Sequence, residues 1–126
     1  MSQWTGVLAA ERERVARQVE DLSRDLAAII DASTDVNADD EHDPEGSTVG
    51  FERAQVASLL DRARSRLADV ERAQDRDRAG TYGRCQGCGR PIAAERLAAH
   101  PAAALCVDCA ASASGASGAS GRRLRP

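Results

Sequence analysis

Four cysteines carry the clearest chemical signal in this 126-residue chain. They form two C-x2-C pairs, Cys85 with Cys88 and Cys106 with Cys109, separated by residues 89–105. That spacing is typical of a four-cysteine zinc site, because two intervening residues let one turn direct both sulfurs at the same ion. Four thiolates complete a tetrahedral Zn²⁺ shell and leave no position for water, so we expect one structural zinc ion.

Other interpretations of the same residues are weaker. A redox-active dithiol would be accompanied by a βαβ pattern, and none surrounds these cysteines. His100 lies between the two pairs, and we interpret it as a residue at the surface or beside the ligands, because four thiolates already suffice. His42 stands among acidic residues. Although Asp/His clusters can bind metals, a solvated acidic loop is the simpler interpretation.

The segment that precedes the cysteines has the pattern of two paired helices. Apolar residues recur every seven positions along each stretch: Leu8, Val15, Leu22 and Ile29 in the first, Val56, Ala63 and Val70 in the second. A heptad repeat indicates a helix that buries a narrow apolar seam against a partner. The predicted helices run over Thr5–Asp31 and Phe51–Arg78. Two helices of similar length with one connection predict an antiparallel hairpin over residues 1–79.

The composition favours an all-α fold. The chain has one Trp, one Tyr and one Phe, whereas a compact domain of this length buries several aromatic rings. We predict an antiparallel coiled-coil hairpin followed by a small four-cysteine zinc finger over residues 80–110. The Ala/Ser/Gly repeats of residues 111–126 predict a disordered tail. We expect no further helix there.

The connection between the helices, at about residues 32–50, is strongly acidic and is here called the acidic tip. Its charged residues near the middle are all acids: Asp35, Asp39, Asp40, Glu41, Asp43 and Glu45. Pro44 and Gly46 argue against a continuous helix. Because these carboxylates repel one another, a cation or a basic surface is a plausible receptor for them. The alternative is a solvated turn that keeps the hairpin soluble.

Charge and hydropathy exclude several functional classes. The formal net charge is -3, which argues against nonspecific nucleic-acid binding, because that binding needs a basic surface. No apolar stretch resembles a secretory signal or a membrane span. We therefore expect a cytoplasmic protein, where paired cysteines bind metal more often than they form disulfides. We find no nucleophile with a partner base, so we expect a monomeric binding protein rather than an enzyme.

The residues around the cysteines resemble the zinc finger of the DksA/TraR family. The resemblance lies in the run from Tyr82 to Ile92 (YGRCQGCGRPI), in the run from Arg96 to Pro101 (RLAAHP), and in the second cysteine pair (CVDC). The preceding helical hairpin with its acidic connection is also similar to that family. The resemblance covers nearly the whole chain except its tail.

The resemblance implies a transcription regulator that binds bacterial RNA polymerase and does not read DNA sequence. Family members insert the coiled coil into the secondary channel of the polymerase, which implies Asp40, Asp43 and Glu45 as the partner-binding tip. Some members respond to guanosine tetraphosphate. His100 and Ala110 stand where basic residues are found in that family, so we expect a weak response. The alternatives are a zinc-stabilised adaptor with a different partner and a redox-sensing zinc protein.

Overall fold

The computed structural model describes residues 2–36 and 44–115 of the chain. Its helices are α1 (Thr5–Val36), α2 (Pro44–Ala79), α3 (Ala94–Ala99) and α4 (Val107–Gly115). Within the described residues there is no strand, and the only bridge is an isolated antiparallel one between Arg84 and Pro91. The predicted all-α class, with two long helices before a four-cysteine module, is confirmed. In this part of the chain, none of the helices combines the length and apolar character needed to cross a bilayer.

Both long helices extend further into the acidic connection than the sequence predicted. Helix α1 continues to Val36, and α2 already begins at Pro44. Proline fits the first position of a helix, since its fixed φ matches and its missing N–H would have no intrahelical acceptor. Glu45 thus lies in the first turn of α2, whereas Asp40 and Asp43 lie outside the described residues.

The segment after the last cysteine also differs from the prediction. Helix α4 runs from Val107 through Gly115, so it includes residues that we predicted to be disordered. Alanine has the highest helix propensity, and several alanines alternate with serines here. Asp108 in the first turn is favourable beside the positive end of the helix dipole. The remainder of the predicted tail, residues 116–126, lies outside the described part.

The chain forms two compact units, and the first of them comprises Arg12–Ala68. In this unit Val15, Leu60 and Ala63 are buried between α1 and α2. Arg66 donates a hydrogen bond from Nη2 to Oε1 of Gln18 at 2.8 Å. Val15 and Ala63 belong to the predicted heptad seam, so the apolar pattern is confirmed at these positions.

The second unit joins the chain up to Glu11 with the residues from Asp69 onward, and so contains the metal module. Leu8, Val70 and Ala73 are buried where the start of α1 meets the end of α2. Leu8 and Val70 are also predicted seam positions. The first residues of α1 therefore pack against the last residues of α2, as an antiparallel pair requires.

A buried carboxylate holds the start of α1. Asp77, near the end of α2, has only 4% of its surface exposed. Its Oδ1 accepts hydrogen bonds from the Ser2 N–H at 3.1 Å and the Ser2 hydroxyl at 2.7 Å, and its Oδ2 accepts one from the Thr5 hydroxyl at 2.6 Å. The carboxylate also lies at the N-terminus of α1, where the helix dipole favours negative charge. Hydrogen bonds from Thr5 and Ser2 hold the pKa of Asp77 below its usual range, although burial alone would raise it.

We expect these hydrogen bonds to make part of the stability acid-sensitive. Because the folded-state pKa of Asp77 lies below the unfolded value of about 3.9, its contribution is complete above that pH and is lost as the pH falls through the folded-state pKa. In Asp77→Asn, the urea unfolding midpoint should fall less between about pH 7 and pH 2 than it does in wild type. The control is Asp75→Asn, because Asp75 is an exposed carboxylate paired with Arg78. If Asp77→Asn and wild type show the same acid dependence, the assignment fails.

Candidate metal centre

The first cysteine pair lies in a tight turn that follows the end of α2. Gly80, with φ of 80°, terminates α2, because a left-handed glycine after a helix satisfies its last carbonyls. The Cys85 N–H donates to the Arg90 carbonyl at 2.8 Å, and the Gly89 N–H donates back to the Cys85 carbonyl at 2.8 Å. Gly89 has φ of 78°. Glycine adopts this left-handed conformation without a steric penalty, so Gly89 allows the turn to close.

The second pair lies at the start of α4. Cys106 directly precedes the helix, and Cys109 is in its first turn. The Ala110 N–H donates to the Cys106 carbonyl at 2.8 Å, so the helix geometry sets the separation of these two cysteines. The Gln86 N–H donates to the Ala104 carbonyl at 2.8 Å and connects the two halves of the module.

The structure brings the four predicted cysteines together. Their Sγ atoms all lie within 4.8 Å of one another, and the Sγ atoms of Cys88 and Cys106 are 3.9 Å apart. A tetrahedral zinc ion with Zn–S bonds of ~2.3 Å requires sulfurs about 3.8 Å apart, so small side-chain movements complete the shell. All four cysteines are free thiols. The site is therefore positioned to bind one metal ion, and a set of four soft sulfur donors favours zinc.

Backbone N–H groups point at two of the sulfurs. The Gly87 and Cys106 N–H groups each donate to Sγ of Cys85 at 3.3 Å, and the Cys109 N–H donates to Sγ of Cys106 at 3.5 Å. Such donors stabilise the negative charge of a thiolate. Burial raises the pKa of the Cys85 thiol, but the N–H donors outweigh this effect and lower it to about 6.

Hydrogen bonds between the sulfurs favour the protonated form of Cys109. Hydrogen bonding of the Cys109 thiol to Cys85, then to Cys106, raises the pKa of Cys109 to about 12. Because zinc binds thiolates, metal binding must displace the protons that the cysteine thiols carry. Zinc affinity should accordingly increase with pH over the range in which the thiols titrate.

Gly87 has a role that the sequence did not reveal. A Cβ atom at this position would lie 3.0 Å from Sγ of Cys109 and 3.3 Å from its Cβ. A Cβ atom there would make a closer contact than side chains normally allow, so Cys109 or the turn would have to shift. Gly89 is required by the positive φ of its turn, whereas Gly87 is required by a close approach between residues that are distant in sequence, which leaves no local signature.

A small apolar core supports the cysteines. Cys85, Ile92 and Leu97 are buried together. Around them pack half-buried residues of the module and one from the start of the chain: Trp4, Tyr82, Ala103, Leu105, Cys106 and Cys109. Sequence reasoning also missed Trp4, which precedes α1 and is distant in sequence from the finger.

The other predicted site residues lie elsewhere. His100, at the end of α3, is exposed, and it does not belong to the metal-ligand cluster found among the described residues. His42, like Asp40 and Asp43, lies outside those residues. The structure thus assembles the predicted metal site and does not test the predicted tip.

Comparisons with known proteins agree with this geometry. The sequence profile of the prokaryotic dksA/traR C4-type zinc finger matches residues 80–114, which include all four cysteines. No curated protein sequence matches the chain. Among solved structures, the chain is similar to the transcription factor DksA2 from Pseudomonas aeruginosa, with 24% identity, a TM-score of 0.55, and coverage of 86% of this chain and 83% of that one. At this identity the similarity shows the fold. The chain therefore carries a DksA/TraR-type C4 zinc finger, the resemblance that the sequence predicted, on a helical fold similar to that of DksA2.

Proposed function

We propose that this protein is a transcription regulator that binds bacterial RNA polymerase. One combined observation carries the proposal: a DksA/TraR-type finger follows two long helices in a fold similar to that of DksA2, a transcription factor. Under this proposal the paired helices enter the secondary channel of the polymerase. The protein acts in the cytoplasm as a monomer, and binding rather than catalysis is its activity. The zinc ion is structural, because a complete thiolate shell has no open position for a substrate or water.

The helices support the proposal by the way they are packed. Between Arg12 and Ala68, buried seam residues hold α1 against α2. A packed pair of helices resists bending better than a single helix. The segment that connects the helices is acidic and contains no Lys or Arg. A catalytic metal ion or a basic channel wall close to these carboxylates would compensate for their mutual repulsion.

The acids of the connection provide the test. We expect the Asp40→Asn/Asp43→Asn double variant to bind polymerase as wild type does but to lose its effect on the lifetime of promoter complexes. Folding should be almost unchanged, because exposed charges usually alter the free energy of unfolding by less than ~0.5 kcal/mol. The matched control is Asp25→Asn/Asp31→Asn, which changes net charge equally at exposed positions of α1. Pull-down of purified polymerase and a promoter-complex decay assay measure the two properties separately.

The outcomes separate the alternatives. If wild-type protein binds no polymerase, the adaptor hypothesis replaces the proposal. If wild-type protein binds polymerase and the double variant changes promoter-complex lifetime as much as wild type does, Asp40 and Asp43 are not responsible for the effect. Equal loss of activity in both double variants would indicate a general charge effect rather than a specific tip.

A further inference from the structure

The segment Ser2–Thr5, here called the strap, lies against both α2 and the zinc finger. On the finger side, Trp4 packs on the core formed by Cys85, Ile92 and Leu97. Its ring centroid is 6.2 Å from that of Tyr82, with the planes tilted by 45°, a favourable separation for an aromatic pair. The core of the finger is thus completed by a residue that precedes the first helix.

The other contact of the strap is the buried carboxylate of Asp77. The Ser2 amide, the Ser2 hydroxyl and the Thr5 hydroxyl all donate to it. Within the strap, the Trp4 N–H donates to the Ser2 hydroxyl oxygen at 3.0 Å, and the Thr5 hydroxyl lies 2.9 Å from the Ser2 carbonyl. The network therefore fixes the position of Trp4 as well as the start of α1.

A second contact leads from the strap to the cysteine loop. The Tyr82 hydroxyl donates to the Pro101 carbonyl at 2.8 Å, and Pro101 lies in the loop between the two cysteine pairs. Tyr82 and Trp4 share the same core, against which Cys106 and Cys109 also pack. The strap thus contacts the surroundings of the metal site but supplies no sulfur ligand.

We propose that the strap and the metal centre form a zinc-linked latch, in which zinc binding favours docking of the strap and docking of the strap raises zinc affinity. The physical basis is the small size of the shared core. Without metal, the cysteine loop loses the cross-link that orders it, and Trp4 and Tyr82 then lose the surface on which they pack. Thermodynamic linkage makes the effect reciprocal, because a ligand that stabilises a docked state binds that state more tightly.

Asp77→Asn tests the latch at a site remote from the sulfurs. We expect this variant to lower zinc affinity by at least about fivefold, measured by competition with a chromophoric chelator. Asp75→Asn, two positions away on the same helix with an exposed carboxylate, should bind zinc as wild type does. The chain contains one Trp, so its tryptophan fluorescence reports on Trp4. Removal of zinc from wild-type protein should shift the emission to longer wavelength as Trp4 enters water.

A milder variant keeps the proposal testable if Asp77→Asn does not fold. Thr5→Val removes one of the three hydrogen bonds and preserves the side-chain shape, and it should lower zinc affinity by about fivefold. Circular dichroism identifies which variants are folded. The latch is refuted if the folded variants bind zinc no more weakly than Asp75→Asn does, or if zinc removal leaves the Trp4 emission unchanged.

Discussion

Replacement of Cys85 by Ser is expected to abolish zinc binding and to unfold the finger. The metal site would lose one of its four ligands. The Cys85 sulfur also accepts two backbone N–H hydrogen bonds, and the residue belongs to the buried core. Few apolar residues surround the site, so metal binding must supply most of the folding free energy of the module, on the order of 10 kcal/mol. Cys109→Ser should have a similar effect, since a three-sulfur shell leaves zinc incompletely coordinated.

Metal content and helicity separate this effect from global unfolding. Purified wild-type protein should contain one zinc ion per chain by elemental analysis, and the Cys85→Ser variant almost none. Most of the far-ultraviolet circular dichroism should persist, because Arg12–Ala68 forms a compact unit of its own. Gln86→Ala is the matched control, since this side chain is exposed between two ligands. Wild-type protein that contains no zinc, or a Cys85→Ser variant that contains one zinc ion per chain, would contradict the assignment of the ligands.

The second large effect is expected in the helical seam. Leu8 is completely buried, with 0% of its surface exposed, close to the point where Val70 and Ala73 are buried. Leu8→Ala should lower the free energy of unfolding by about 3 kcal/mol, because it removes buried methyl groups and leaves a cavity. Large apolar side chains are few in this chain, so neighbours have little capacity to fill the space.

The adjacent residue provides the control. Val7 has 41% of its surface exposed, and Val7→Ala should change stability by less than about 1 kcal/mol. Urea unfolding followed by circular dichroism measures both variants under the same conditions. Comparable losses in Leu8→Ala and Val7→Ala would mean that the start of α1 is not buried in the seam.

Local patterns in the sequence determined the metal site and the class of fold. A C-x2-C pair specifies its own turn, so the spacing of Cys85, Cys88, Cys106 and Cys109 predicted a cluster that the structure assembles. The heptad repeat likewise predicted which face of each helix is buried, and Val15 and Ala63 confirm it. Both signals are periodic or local, and each requires only backbone geometry to interpret.

Helix boundaries were less predictable, because they depend on competition between weak preferences. The first helix was expected to end at Asp31 and the second to begin at Phe51, and the tail was expected to be disordered from residue 111. Instead, α1 continues to Val36, α2 begins at Pro44 and α4 continues to Gly115. Proline is compatible with a first turn, and alanine propensity outweighs serine and glycine over a short segment. The sequence contained these preferences but did not indicate which of them would prevail.

The contacts that support the finger could not be predicted from the sequence. Asp77 and Ser2 are 75 positions apart, and no periodicity or motif relates them. The same holds for Trp4 on the core of the finger and for Gly87 against the sulfur of Cys109. Such contacts arise when packing brings distant segments within hydrogen-bond or van der Waals distance, so they depend on the three-dimensional arrangement of the helices and the finger. The cysteine spacing and the heptad repeat predicted the metal cluster and the apolar seam, whereas the contacts that surround them follow from packing between segments that are distant in sequence.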